Sequence, residues 1–201
     1  MREPLVLLPG MMCDARLFGP QIAELSADMA VTVAPVSRGD RIEEIASSLL
    51  DILPKRFVLA GFAMGGVVAM EILRRAPDRL TRIALMNTHP LADTPVAAAD
   101  REPLIVKVRS GRLLEAVDDE INANTLAPTP YRNEVLDLVH EMARTLGPDV
   151  YILQSRAMQR RKDQQGTLRR RKVLALVLFG AYDTIAPVKR HEFMAELIPY
   201  A

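Results

Sequence analysis

The chain contains no tryptophan, a single cysteine and only 4% aromatic residues. The lone Cys13 excludes an internal disulfide, and three scattered histidines (His89, His140, His191) without a CxxC pair give no zinc signature, so no metal site is expected. An excess of one charge is missing too. Twenty-six basic residues against 25 acidic ones leave a net charge of +1, so the whole chain offers no electrostatic case for nucleic acid or for an anionic membrane. The longest apolar runs, such as residues 173–180, are strand-length and far short of the ~20 residues a spanning helix needs. The N-terminus carries Arg2 and Glu3 and then only a brief apolar stretch up to Pro9, with no small-residue cleavage site, so no signal peptide is read. The expectation is a cytoplasmic protein.

What is present is an ordinary globular balance: 201 residues, 49% hydrophobic and 25% charged, enough for one domain. Leu5-Val6-Leu7-Leu8, closed by Pro9-Gly10, reads as a strand buried on both faces, as in a parallel sheet. Val31-Thr32-Val33 follows a helical stretch starting near Pro20, and Phe57-Val58-Leu59-Ala60-Gly61 follows a helix over 41–53. That helix spaces Ile42, Ile45, Leu49 and Ile52 along one face and is stopped by Pro54. A helix over 64–75, a strand over 80–86, a strand over 173–179 and a helix over 188–197 continue the alternation, which argues for an α/β fold with a parallel sheet. Between 88 and 167 the strand signal vanishes and the pattern turns helical. Thr129-Pro130 reads as a helix start, Val135, Leu136, Val139 and Met142 as an apolar stripe, and Leu146-Gly147 as a stop. The 88–167 segment is expected to be a helical lid inserted into one domain spanning 1–201.

Residues 156–172 concentrate eight basic side chains (Arg156, Arg160, Arg161, Lys162, Arg169, Arg170, Arg171, Lys172) against the single acid Asp163. No aromatic residue interleaves them to stack on bases, so a solvated face is the better reading than a nucleic-acid surface.

The informative segment is Gly61-Phe62-Ala63-Met64-Gly65-Gly66, where a strand turns abruptly into a helix with glycines two before and two after the central residue. This is the layout of a nucleophile elbow, in which a strained central residue projects its side chain above the sheet. The central residue here is Ala63, whose methyl group can neither attack a carbonyl nor hold a proton. Val67-Val68 stands where a phosphate loop carries lysine and Ser/Thr, and the glycines do not reproduce G-x-G-x-x-G, so no nucleotide cofactor is expected.

With Leu7-Leu8-Pro9-Gly10-Met11-Met12 ahead of this elbow, the helical insertion behind it, and Leu176-Val177-Leu178-Phe179-Gly180-Ala181-Tyr182-Asp183 after the later strand, the chain resembles the α/β-hydrolase superfamily. Within it, the likeness is to the small carboxylesterases of the pimeloyl-ACP methyl ester esterase group, over nearly the whole length. The resemblance implies an α/β-hydrolase fold and a catalytic serine at the position of Ala63. It further implies Asp183 as the acid that orients a histidine, and the backbone N–H groups of Met11 and Met64 as donors to an oxyanion. It also implies a small-molecule ester or acyl substrate held under the lid, with no cofactor.

Two departures qualify that reading. Ala63 replaces the serine, and the sequence runs to Tyr200-Ala201 without the family's final strand and histidine loop. His191, His140 and His89 do not occupy the histidine's expected place in chain order, although His89 at a strand end stands nearest the elbow. Cys13 is no substitute nucleophile, because the neighbouring Asp14 disfavours a thiolate. The expected function is therefore a carboxylic-ester hydrolase scaffold that is inactive as given. The alternative is a natural non-catalytic homologue that binds an acyl or ester-like ligand. A strand over 174–178 left at the sheet edge would invite pairing with another chain, which makes a homo-oligomer an option.

Overall fold

A computed structural model describes residues 3–201. Five strands, β1 (Leu5–Leu8), β2 (Val31–Val33), β3 (Phe57–Phe62), β4 (Leu80–Met86) and β5 (Leu174–Leu178), form one sheet in the order β2-β1-β3-β4-β5, with every neighbouring pair parallel. The helices are α1 (Gly19–Leu25), α2 (Ile42–Ile52), α3 (Met64–Arg75), α4 (Pro95–Ala99), α5 (Arg101–Arg109), α6 (Leu113–Glu120), α7 (Arg132–Gln159), α8 (Gln165–Arg170) and α9 (Val188–Leu197). The α/β reading and the parallel sheet hold, and α4 to α8 all lie between β4 and β5. No described helix is long and apolar enough to cross a membrane.

The alternation of side chains along each strand divides the core in two. Val6, Leu8, Leu59, Ile83, Leu85 and Ala175 face one way, where Ile45 and Leu49 of α2, Val68 and Ile72 of α3, Leu168 of α8 and Met194 of α9 cover them. Leu5, Leu7 and Ala60 face the other way, against Phe18 and the α1 residues Ile22 and Leu25. That second layer does not reach β5, so Leu174, Leu176 and Leu178 remain 60%, 57% and 52% exposed on the outermost strand. β5 is the outermost described strand, and on its outer side the Ala175 amide donates to Tyr200 O at 2.9 Å.

Several local expectations are corrected. Ile52 is 72% exposed, because α2 ends there and Leu53 turns into the core instead. Thr129-Pro130 does not cap a helix: α7 begins at Arg132, and Thr129 accepts the Arg132 amide in a preceding turn. Val135 lies exposed on the first turn of α7, and the buried stripe starts at Val139 and runs through Met142 and Ala143. Gly147 (φ 82°, ψ 174°) does break the helix, as Leu146-Gly147 suggests, but Pro148 restarts it at once and α7 continues to Gln159.

The chain returning from this insertion is tied to α3 by one buried carboxylate. Glu71, 1% exposed, accepts from Arg74 Nε and Nη2 at 2.8 and 2.6 Å, from Arg75 Nε at 2.6 Å and from Gln164 Nε2 at 2.8 Å. Burial alone would raise its pKa, but these donors outweigh it and hold the carboxyl at about 2 against an ordinary 4.5. A depressed carboxylate pKa adds stability that is full above the unfolded value and is lost as pH falls toward the folded one. Glu71→Gln should therefore cost about 3 kcal/mol at neutral pH, and the gap between variant and wild type should close between about pH 5 and pH 2. Denaturant titrations across that range check this; a gap independent of pH contradicts it.

Candidate functional site

The described residues include three non-glycine residues at positive φ, and all three lie just beyond the carboxyl ends of strands: Met12 (54°) after β1, Ala63 (49°) after β3 and Asn87 (48°) after β4. Each such residue costs on the order of 1–3 kcal/mol, and such strain collects where a backbone must aim a group. In open α/β sheets this carboxyl edge is where ligands sit.

Ala63 (φ 49°, ψ −114°) links β3 directly to α3. Its N–H donates to Met86 O at 2.9 Å, extending the β3–β4 ladder one step beyond the strand. The flanking glycines permit the bend. A Cβ on Gly61 would stand 2.4 Å from Gly65 O, one on Gly65 2.2 Å from Leu8 O, and one on Gly66 2.5 Å from Thr88 Cγ2. Strand, helix start and the end of β1 are thus in backbone contact, and any side chain at these positions would push them apart. From the other side, a Cβ on Gly10 would lie 3.4 Å from the Ala63 methyl, so the turn after β1 lies directly against the elbow.

Two backbone amides belong to the residues next to this contact. Met64 N is the first amide of α3, and Met11 N lies in the turn after Gly10. Neither finds an acceptor among the described residues, whereas Met12 N and Cys13 N are both taken, by Gln154 and by Gly10 O. Free amides at a helix start and in an adjacent turn suit an anionic oxygen.

Asp183 stands at the end of β5, two strands from the elbow, a lateral separation of about 10 Å between strand backbones. Its Oδ1 accepts the amides of Ile185 and Ala186, each at 2.9 Å, and its Oδ2 accepts Asn87 Nδ2 at 2.6 Å. Asn87 in turn donates its N–H to Leu178 O at 2.9 Å. Ala63, Met86, Asn87 and Asp183 therefore form one connected row across the tops of β3, β4 and β5. Asn87 is the member that sequence reading missed. The available signal was an asparagine just past a strand end, since Asn tolerates the left-handed region better than most residues.

None of the three histidines stands on Asp183 through a hydrogen bond. His140 Nε2 lies 2.6 Å from Asp118 Oδ1, among the inserted helices. His191 is fully buried in α9 and stacks on Phe179 at 4.8 Å between ring centroids, a packing role; burial lowers its pKa, and the Asp183 charge only partly opposes that. His89 lies beside the site, but its Nε2 is 3.1 Å from Arg161 Nη2. Burial first, then the Arg161 and Arg190 charges, push its pKa down to about 4, so the ring is neutral at physiological pH. Cys13 is buried, and burial followed by the Asp14 charge pushes its thiol up to about 12, so it carries no thiolate.

Four of the eight basic residues in the run over 156–172 are paired with acids. Arg156 meets Glu102, Arg160 meets Asp40, Arg161 holds Asp93 at 2.6 Å and Lys162 holds Glu43 at 2.7 Å. These pairs bind the end of α7 and the turn after it to other parts of the fold and leave no continuous basic stripe at those positions.

Two substitutions test the elbow. Ala63→Gly should leave the protein as stable or more stable by up to about 1 kcal/mol, because glycine adopts this backbone without a Cβ penalty. Gly65→Ala should cost about 3 kcal/mol through the clash with the Leu8 carbonyl. Thermal unfolding of both variants checks the pair. A marked loss in the first, or a neutral result in the second, contradicts the geometry.

No protein-family model matches the chain. Its similarity to individual proteins is nonetheless extensive. Pimeloyl-[acyl-carrier protein] methyl ester esterase of Aromatoleum aromaticum is 30% identical over 96 residues, covering 44% of this chain and 38% of that protein. The protein of the same name from Vibrio atlanticus is 23% identical over 98% of this chain and 82% of its own length. The solved structure of a thermophilic esterase from Thermogutta terrifontis superposes with a TM-score of 0.89 at 26% identity, covering 99% of this chain and 79% of that one. The chain has the α/β-hydrolase fold, and along almost its entire length it resembles the esterases of that superfamily.

Proposed function

We propose that this chain is a carboxylic-ester hydrolase scaffold of the serine type, catalytically silent because residue 63 is alanine. The observation that carries the reading is the bend at Ala63. It is held at a positive φ by close glycine contacts, next to the turn that carries the Met11 amide and at the start of the helix that carries the Met64 amide, neither of which has an acceptor among the described residues. Such an arrangement has a purpose only if something at residue 63 meets an oxygen at those amides.

With a serine there, the sequence of events follows from the geometry. A small-molecule ester would lodge its carbonyl carbon against the hydroxyl. The carbonyl oxygen, becoming an oxyanion on attack, would accept both N–H groups, each worth ~3 kcal/mol in the transition state. A histidine oriented by Asp183 would take the hydroxyl proton and pass it to the leaving alcohol, and water would then release the acyl group by the same path in reverse. Asp183 is suited to that orienting role because three donors fix its carboxylate at the sheet edge. With a methyl at 63 there is no attacking atom, and the amides can only bind.

The helices α5 to α7 supply the apolar cover. Val108, Ala116, Val117, Val139, Met142 and Tyr151 pack with Met12, and Met11 lies against the same cluster. This supports a lid over the acyl side of the site, with aliphatic acyl groups as the substrate class and no cofactor, metal or nucleic acid in the chemistry.

The names of the sequence relatives point toward a methyl ester carried on a protein-bound acyl chain, and we take a short- to medium-chain carboxylic ester as the working substrate. Ala63→Ser, in the chain joined to a C-terminal segment carrying a histidine that can reach Asp183, should hydrolyse p-nitrophenyl butanoate at least about a thousandfold faster than the alanine parent. Asp183→Asn in that background should remove most of the gain. A correctly folded variant with no gain contradicts the esterase reading. If that variant still binds the ester, the chain is instead a non-catalytic binder of acyl ligands.

A further inference from the structure

The turn after β1 is not held by its own neighbours. Met12 sits at φ 54° and is only 2% exposed, so its N–H is a buried donor in a strained peptide. The acceptor comes from far along the chain: Gln154 Oε1, on the second half of α7, takes this N–H at 2.8 Å. The same amide group donates through Nε2 to Val36 O at 3.2 Å, so one side chain bridges the loops leaving β1 and β2. Gln154 is 1% exposed and lies on the apolar stripe of α7, with Tyr151 one turn before it and Met158 one turn after. Two residues beyond Met12, the Asp14 amide meets Met142 Sδ at 3.4 Å, a second and weaker tie from α7 to the same turn.

A buried glutamine on such a stripe is costly unless both of its functions are used, and here both are. Glutamine offers an acceptor and a donor in one planar group, which Glu, Met or Leu at this position cannot match at neutral pH. The consequence falls on the preceding residue. With the Met12 N–H held by α7, the adjacent Met11 N–H has no acceptor among the described residues, and Gly10 just before it lies against the elbow.

We infer that Gln154 is a positioning residue for the anion-binding amide pair of Met11 and Met64, so that the inserted helices set the geometry of that pair. The inference rests on the reading of those amides as an oxyanion site. It places the stronger link between α7 and the amide pair in the Gln154–Met12 hydrogen bond: with that bond made the turn is held, and without it the Met11 amide loses its orientation.

The test uses the chain as it stands and butanoate as the probe, because a carboxylate oxygen can occupy the amide pair without a nucleophile at 63. In a 15N-labelled sample, the Met11 and Met64 amide signals should shift in a saturable way with butanoate. In Gln154→Met, which keeps length and volume but offers no acceptor for Met12, the Met11 response should disappear and butanoate affinity fall at least tenfold. The wild-type fold, judged from the remaining amide signals, should be retained.

Gln154→Glu supplies a second readout. Its neutral carboxyl keeps an acceptor and a donor, whereas its anion would face the Val36 carbonyl and repel the probe. Burial raises a carboxyl pKa. Butanoate affinity of Gln154→Glu should therefore rise at least tenfold on acidification from about pH 8 to about pH 5.5, while wild type stays flat in that range, where the probe remains ionised. A wild type whose Met11 and Met64 signals ignore butanoate sinks the oxyanion reading itself. A responsive wild type with an unchanged Gln154→Met overturns the role of Gln154 alone. Should Gln154→Met fail to fold, a pH-independent affinity in Gln154→Glu overturns it equally.

Discussion

The structure depends on one steric constraint: the backbone contact between the end of β3, the start of α3 and the end of β1. Gly61, Gly65 and Gly66 have no room for a Cβ, and the bend they permit holds Ala63 at a φ that an L-residue adopts only under compulsion. An alanine gains nothing from that conformation. It costs on the order of 1–3 kcal/mol, and the surrounding packing has to offset it. On the proposed reading, the elbow suits a functional side chain where residue 63 carries only a methyl.

The rest of the fold is organised around that bend. The parallel sheet brings the carboxyl ends of β1, β3, β4 and β5 to one edge. The amides of Met11 and Met64, the Asn87 side chain and the Asp183 carboxylate all lie along that edge, with Asn87 bonded to Asp183, although these four residues are far apart in sequence. The insertion between β4 and β5 is anchored from both sides. Gln154 holds the loops after β1 and β2, and Gln164 fastens the returning chain to the buried Glu71. Electrostatic pairs from Arg156 to Lys162 add further attachments along the same seam. On the proposed reading, a layer secured in this way is part of the site as well as its cover.

Much of this was legible in the sequence, for physical reasons that can be named. Short apolar runs closed by glycine or proline marked β1 and β3, because a strand buried on both faces cannot afford polar residues. The glycine spacing about Ala63 marked the elbow, because close backbone approach allows nothing larger. Helix termini within the insertion were less legible. Thr129-Pro130 has the composition of a cap, but those residues sit in a turn and α7 starts only after Tyr131, and Ile52 fits the stripe of α2 without being buried. Asn87 and Gln154 were missed because their roles come from long-range contacts: Gln154 lies 142 residues from its partner Met12, and Asn87 lies 96 from Asp183. A polar residue on an otherwise apolar helical stripe was the available clue to the first, and an asparagine after a strand end to the second.

On the proposed reading the side chain of residue 63 is aimed at two unpaired amides, one at the start of α3 and one in the turn after β1, and a thiol placed there reports on it directly. Cys13 is buried and its thiol is pushed up to about 12, so it stays silent in a neutral titration. The thiol of Ala63→Cys, followed by its reaction with a soluble disulfide reagent across pH, should titrate at least about one unit below the ordinary ~8.5, because the amides and the helix start favour the thiolate. A thiol at that position that titrates at or above ~8.5 would contradict the account.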